Sequence, residues 1–308
     1  MPEFRGESLR EIIEVIERAL AGGVPTVTFE VVDPDLARGR YAGELVEHEG
    51  VTYVHRPFRV WIDLAERLGL RLRTPRMTRA PLVELTFERL DPNARWKPAG
   101  AETTERYGSE SGFARISKLE DPGFVIDLRE AVQRCRLPKE DRRPRILDLG
   151  VNTGDELALM MSLLGDASFV GVDHSASALA VARQRFMGAN VELVEGDLNM
   201  LEPLALGLFD LVVSIGTLQS PGIDDRALLR HVIAHHVRDP GAAIFGFPNC
   251  RYVDGETEFG TRMKNFRQPE LGLLVKDVAL YRKYLQQHRY EVFVTGKNYM
   301  LVTGVRRA

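Results

Sequence analysis

Cysteine is scarce. Cys135 and Cys250 are the only two in 308 residues, too few for a disulfide framework and suited to a reducing cytoplasm. No CxxC pair and no Cys/His cluster at metal-ligand spacing occurs, so zinc and other bound metals are not expected. Long apolar runs are missing too: stretches such as Ala242 to Phe247 fall far below the ~20 residues of a membrane span. The first residues, MPEFRGESLREIIEVIE, are charged and carry no apolar h-region, so no signal peptide is expected and the location read from the sequence is cytoplasmic. What is present is ordinary for a soluble globular chain, 44% hydrophobic and 28% charged residues, which excludes disordered, collagenous and fibrous classes. The length points to one large domain or two modest ones.

The net charge of −3 argues against a dedicated nucleic-acid binder, but the charge is unevenly spread. Residues 146–250 carry 5 Arg/Lys against 13 Asp/Glu, a balance of −8. Residues 251–308 carry 11 against 6, or +5. Arg67, Arg71, Arg73, Arg76 and Arg79 follow one another with no acid between them. Such a run either tracks phosphates or forms a solvated helix end and an edge strand. No aromatic residue interleaves it, which weakens base stacking as a mode of RNA recognition.

The chain reads in two parts. Residues 7–21 place Leu9, Ile12, Ile13, Ile16 and Leu20 on one helical face, closed by Gly22-Gly23. Val24 to Val32 is β-branched, Phe58 to Leu68 helical, and Pro81 to Leu90 alternates as a strand. Residues 1–90 therefore read as a small α+β module. Residues 91–123, rich in glycine and proline, read as a linker or lid. From residue 124 onward helices and strands alternate: helix Val125–Cys135, strand Arg145–Leu149, helix Asp155–Leu164, strand Phe169–Asp173, helix Ala176–Met187, strand Val191–Glu195, strand Phe209–Ile215, helix Asp225–Val237, strand Ala242–Phe247 and helix Val275–Gln287. Glu291–Thr295 and Tyr299–Val305 are then joined only by Gly296-Lys297-Asn298, which forces an antiparallel hairpin. The pattern predicts an α/β fold over residues 124–308: a doubly wound, mostly parallel sheet with a reversed C-terminal strand.

In such sheets ligands bind beyond the carboxyl ends of the strands. The first strand ends in Asp148-Leu-Gly150-Val-Asn152-Thr-Gly154-Asp155 and runs directly into a helix. Gly150 and Gly154 permit close backbone approach, and the helix start offers unpaired N–H groups. The dinucleotide fingerprint GxGxxG is absent, because Asn152 and Asp155 stand where its second and third glycines belong. A nicotinamide-dependent dehydrogenase is thereby the weakest enzyme reading.

The ordered motifs resemble those of class I S-adenosylmethionine-dependent methyltransferases. Asp148-Leu-Gly150-Val-Asn152-Thr-Gly154 is similar to the first motif of that family. Val170-Gly-Val-Asp173-His174-Ser175 resembles the second strand, whose acid takes the ribose hydroxyls. Val194-Glu-Gly196-Asp197-Leu198 resembles the third, whose Asp meets the adenine amine while the next apolar residue covers the ring. Phe209 to Ser214 resembles the fourth, whose tip faces the methionine moiety, and the terminal hairpin corresponds to the reversed strand. The resemblance implies S-adenosylmethionine as cofactor, held by Asp148, Gly150, Asn152, Gly154, Asp173, His174, Asp197, Leu198 and Ser214. Tyr107 and Arg115, in the segment before the first motif, are the candidates for a lid over the methionine carboxylate. The departure at Asn152 is expected to be tolerated, since Asn enters left-handed backbone more readily than other non-glycine residues.

The acceptor is not named by the residues. Ser214-Ile-Gly216-Thr-Leu-Gln-Ser-Pro221 replaces the Asn/Asp-Pro-Pro-aromatic tetrad that the resemblance would associate with exocyclic base amines. Asn249, Arg251 and Tyr252, after the fifth strand, are the acceptor-side candidates. With Lys264, Asn265, Arg267 and Lys297 they suit an anionic acceptor. His231 and His235 share a helix face beside His236, an arrangement better read as complementing a helix C-terminus than as a metal site. The leading expectation is methyl transfer to a small or medium-sized metabolite. The alternatives are an RNA (for instance tRNA) methyltransferase using the Arg67–Arg79 run, and a non-catalytic cofactor-binding regulator.

Overall fold

The computed structural model describes residues 1–35, 40–91, 93–94, 116–138, 142–220, 222–259 and 273–306. The chain divides into two compact units, residues 1–95 with 252–258, and residues 96–251 with 259–308.

The first unit contains β1 (Glu3–Phe4), α1 (Leu9–Ala21), β2 (Thr26–Val32), β3 (Leu45–His48), β4 (Val51–Val54), α2 (Phe58–Leu68), β5 (Leu70–Leu72), β6 (Arg76–Arg79) and β7 (Leu82–Arg89). Strands order as β1-β2-β7-β5, with β6 also paired to β7. Ser8 and Glu11 close a reciprocal capping box at the start of α1, and Gly69 ends α2 in the left-handed conformation. Ile12, Ile16, Trp61 and Leu64 from the two helices pack onto Phe29, Leu85 and Phe87 of the sheet. The hairpin β3–β4 carries no clear sequence signal, since β3 is largely exposed and β4 does not alternate cleanly. Its turn residues Glu49 and Gly50 both take positive φ, the signature of a two-residue hairpin turn.

The arginine run is drawn into this unit by its acids. Arg71 meets Glu256 at 2.9 Å and Glu88 at 3.6 Å, Arg73 meets Glu88 at 2.5 Å, and Arg79 meets Glu3 at 2.7 Å. Arg76 lies opposite Glu84 in the β6–β7 register. Linear spacing hid those acids, which reside on β1, β7 and a distant hairpin.

The second unit contains α3 (Pro122–Arg134), β8 (Arg145–Leu149), α4 (Asp155–Leu164), β9 (Ser168–Asp173), α5 (Ala176–Arg185), β10 (Val191–Glu195), β11 (Phe209–Ile215), α6 (Asp225–His235) and β12 (Val237–Pro248). There follow β13 (Cys250–Val253), β14 (Glu256–Phe259), α7 (Leu273–Gln287), β15 (Tyr290–Thr295) and β16 (Tyr299–Arg306). The sheet order is β10-β9-β8-β11-β12-β16-β15, parallel from β10 to β12, with β16 antiparallel to both neighbours. Successive strand residues feed opposite faces, so Ile146 joins a core with α3, α4 and α5 while Leu147 joins one with α6 and α7. The doubly wound sheet with its reversed strand is the architecture expected from the alternation. Strand β12 begins five residues earlier than expected, because Arg238-Asp239-Pro240-Gly241 reads as a turn but is absorbed at a register shift against β11. The segment after β12, expected as a loop, is the hairpin β13–β14, whose residues 252–258 group with the first unit. There Arg71 donates to Asp254 and Glu256.

Candidate functional site

The chain leaves β8 for β9 and β10 on one side, then crosses back to β11 on the other. That reversal puts the topological switch point at the carboxyl ends of β8 and β11, the position where open α/β sheets take ligands.

Asp148 lies on β8 and is 1% exposed, and its Oδ2 has no hydrogen-bond partner. Burial, together with the nearby Glu156 carboxyl, pushes its pKa well above the usual carboxylate range, despite the opposing pull of Lys118. After it the chain makes the tight turn that carries the motif. Gly150 has φ +81°, and a Cβ there would run into the Thr217 side chain. Asn152 adopts φ +48°, in the left-handed region that Asn enters more readily than other non-glycine residues. Gly154, φ +88°, caps α4, and a Cβ would strike the Phe186 ring.

Asp173 ends β9 and is 5% exposed. Its Oδ2 accepts from the Asn152 N–H at 2.8 Å and its Oδ1 from the Ser175 N–H at 2.9 Å. One carboxylate thus ties the β8 turn to the start of α5, and each oxygen retains further acceptor capacity. His174 beside it is exposed, with Nδ1 3.6 Å from Asp173 Oδ1. Asp197 follows β10, is exposed, and accepts from the Asn199 backbone at 2.9 Å. Leu198 packs into the core with Leu201 and Leu218. On β11, Ser214 is fully buried and donates to the Leu149 carbonyl at 3.0 Å. Asp148, Asp173 and Asp197 thus stand at or just past the carboxyl ends of three adjacent strands.

Asn249 stands just past β12, at the same end of the sheet. Its N–H donates to the Asn298 carbonyl at 2.7 Å and its Nδ2 to the Lys297 carbonyl at 3.0 Å. The Arg251 backbone belongs to β13, and Tyr252 belongs to the hairpin residues grouped with the first unit. Tyr107, Arg115, Lys264, Asn265 and Arg267 lie outside the described residues. The rings of His231 and His235 sit 4.8 Å apart, and His236 Nδ1 contacts the Gly207 carbonyl at 2.9 Å.

Four residues at this end escaped the sequence reading. Lys118, just before α3, forms a buried ion pair with Glu156, with side-chain exposures of 12% and 3%. Burial disfavours the Lys118 ammonium, yet Glu156, Asp148 and Asp155 outweigh it and raise the pKa. Lys118 Nζ also lies 5.7 Å from the Tyr299 ring centre. Tyr299 opens β16 opposite Pro248, is 4% exposed, and has its phenol pKa pushed well up by burial and by nearby Cys250 and Glu156. Thr217 overhangs Gly150. No linear signal marks them: Lys118 follows a glycine- and proline-rich sequence with little apolar periodicity, and Glu156 looks like any acid favoured by a helix start.

Comparison with known proteins fits this geometry. Residues 146–241 match the family model described as a methyltransferase domain. The chain is 38% identical over 113 residues to release factor glutamine methyltransferase of Mycobacterium tuberculosis, covering 35% of each protein. It thus spans about a third of the length of the curated relatives it matches. The CurJ carbon methyltransferase structure superposes with a TM-score of 0.50 at 12% identity, covering 82% of this chain and 80% of that one. A putative S-adenosyl-L-methionine-dependent methyltransferase from Methanococcus maripaludis gives 0.48 at 14% identity, covering 68% and 98%.

Proposed function

Since the second unit carries a class I S-adenosylmethionine-dependent methyltransferase domain, we propose that the protein transfers a methyl group from S-adenosylmethionine to a small or medium-sized metabolite. The observation that carries the reading is the row of acids at 148, 173 and 197, at or just past the carboxyl ends of β8, β9 and β10, one of them buried with an unpartnered oxygen.

The donor set suits the cofactor. Asp173 keeps acceptor capacity for a vicinal diol after binding two backbone N–H groups. Asp197 is an exposed acceptor for an exocyclic amine. The orphaned Asp148 oxygen suits an ammonium group, and the Lys118–Glu156 pair beside it supplies a fixed field at the same end. When bound, the cofactor supplies an activated methyl on a sulfonium. The protein's own contribution is orientation and exclusion of water. Gly150 brings the backbone close, Thr217 walls one side, and Tyr299 stays protonated as a hydrogen-bond donor near the rim. Ser214 is committed to Leu149 and is no proton acceptor.

Two observations favour a metabolite over RNA. Within the Arg67–Arg79 run, Arg71, Arg73 and Arg79 pair with Glu3, Glu88, Asp254 and Glu256, which leaves less charge for RNA phosphates. Residues 215–218 read Ile-Gly-Thr-Leu, without the tetrad associated with planar amines. No helix among the described residues is long and apolar enough to cross a membrane.

The test is incubation with methyl-labelled cofactor and cell extract split into RNA, protein and metabolite pools. Label is expected in the metabolite pool and absent from an Asp173→Ala control. Label confined to RNA or protein, or binding without turnover in every pool, overturns the proposal.

A further inference from the structure

A groove other than the strand-end site runs along the exposed faces of α6 and α7. Its volume is about 450 Å³, and it is lined by Arg226, Leu229, Arg230, Leu280, Lys283 and Tyr284. Its floor is apolar: Leu229 is buried, and Leu280 and Tyr284 are half-buried. Its walls are cationic. Arg226 and Arg230 stand one turn apart on α6, and Lys283 faces them from α7, all three exposed. None of them makes an ion pair with a carboxylate among the described residues, and Asp277, which feels Arg226, is itself bonded to Gln219 at 3.3 Å. This contrasts with Arg71, Arg73 and Arg79 of the first unit, which find acids.

Like charges gathered around an apolar trough cost stability through repulsion, and nothing in the cofactor site uses them. On α7 the lining runs from Ala279 to Gln287, about two helical turns or ~12 Å. That length and an apolar floor between cationic walls match the helix-in-groove mode, in which apolar anchors seat between helices and flanking charges set orientation. A nucleic acid would gain from exposed stacking faces, whereas the groove's one aromatic ring, Tyr284, is half-buried and 4.2 Å from His288. We propose that the α6–α7 groove docks an acidic amphipathic helix of a partner protein, with its apolar residues on Leu229 and Leu280 and its carboxylates on Arg226, Arg230 and Lys283.

The probe is a short fluorescein-labelled peptide built as an amphipathic helix, leucines on one face and glutamates beside them. A version with glutamine for glutamate serves as its control. Binding to the full chain is read by anisotropy across a salt series. The expected result is binding by the glutamate peptide only, weakening with salt, and reduced tenfold or more in Arg226→Glu/Arg230→Glu/Lys283→Glu. Ala279→Gln, which fills the exposed groove with neutral bulk, is expected to reduce binding while sparing any phosphate contact. Cofactor affinity is expected to be unchanged in both variants, which also reports that they fold. The proposal is overturned by equal binding of the glutamine peptide, by unaltered binding in the variants, by no binding, or by charge-dependent capture of single-stranded RNA or phosphatidylserine vesicles in place of the peptide.

Discussion

Replacing Asp148 by Asn tests the cofactor site from two directions at once. The native carboxyl is 1% exposed with one unpartnered oxygen, and burial and Glu156 raise its pKa. A carboxyl whose folded pKa is raised stabilises the fold relative to its unfolded value only while protonated, so its contribution turns against folding as pH rises. An isosteric neutral amide removes that penalty. The unmet burial cost is about 1–3 kcal/mol, and a domain of this size gains roughly 2–4 °C in Tm per kcal/mol. Asp148→Asn is therefore expected to raise the ligand-free Tm by several degrees at neutral pH. The gain should shrink in acid, where the native group is already neutral. Cofactor affinity moves the other way: a charge-assisted hydrogen bond is worth about 1.5–3 kcal/mol, so Kd rises roughly 10- to 100-fold. Scanning fluorimetry at neutral and acid pH, with titration calorimetry, reads both. A lowered Tm together with unchanged Kd would refute the reasoning.

Three further outcomes are expected. Asn152→Gly should leave cofactor Kd and Tm nearly unchanged, whereas Asn152→Val, held at φ +48°, should lose about 1–3 kcal/mol; equal behaviour in calorimetry and melting would count against the turn assignment. Lys118→Met strands Glu156 in a buried setting and should cost about 3–5 kcal/mol by denaturant unfolding, with Glu156→Gln recovering part of the loss. Strict additivity of the two would mean they do not act as a pair. Asp210 accepts from Arg142, and from the Arg145 N–H at 2.8 Å. Burial raises its pKa, but those donors outweigh that and lower it, so its stabilisation is present above the ordinary carboxylate value and lost as pH falls through the lowered one. Asp210→Asn should cost about 3 kcal/mol, the low end for a buried pair because Arg142 is 40% exposed, and should flatten the acid limb of a pH–stability curve.

Local chemistry was enough to read the second unit. The alternation of β-branched runs with helical faces, and a three-residue link between the last two strands, leave few sheets to choose from, since crossovers and hairpins obey handedness and length. The glycine turn and the strand-end acids were legible for the same reason: each is defined by neighbours a few residues away. Lys118, Thr217 and Tyr299 were invisible because they reach Glu156, Gly150 and the rim from chain positions tens of residues distant, and only packing brings them there. The partners of the arginine run were hidden for that reason as well. A run of like charge is a fact of sequence, but whether it faces solvent or carboxylates depends on which strands pair, and on a hairpin 180 residues downstream that folds with them.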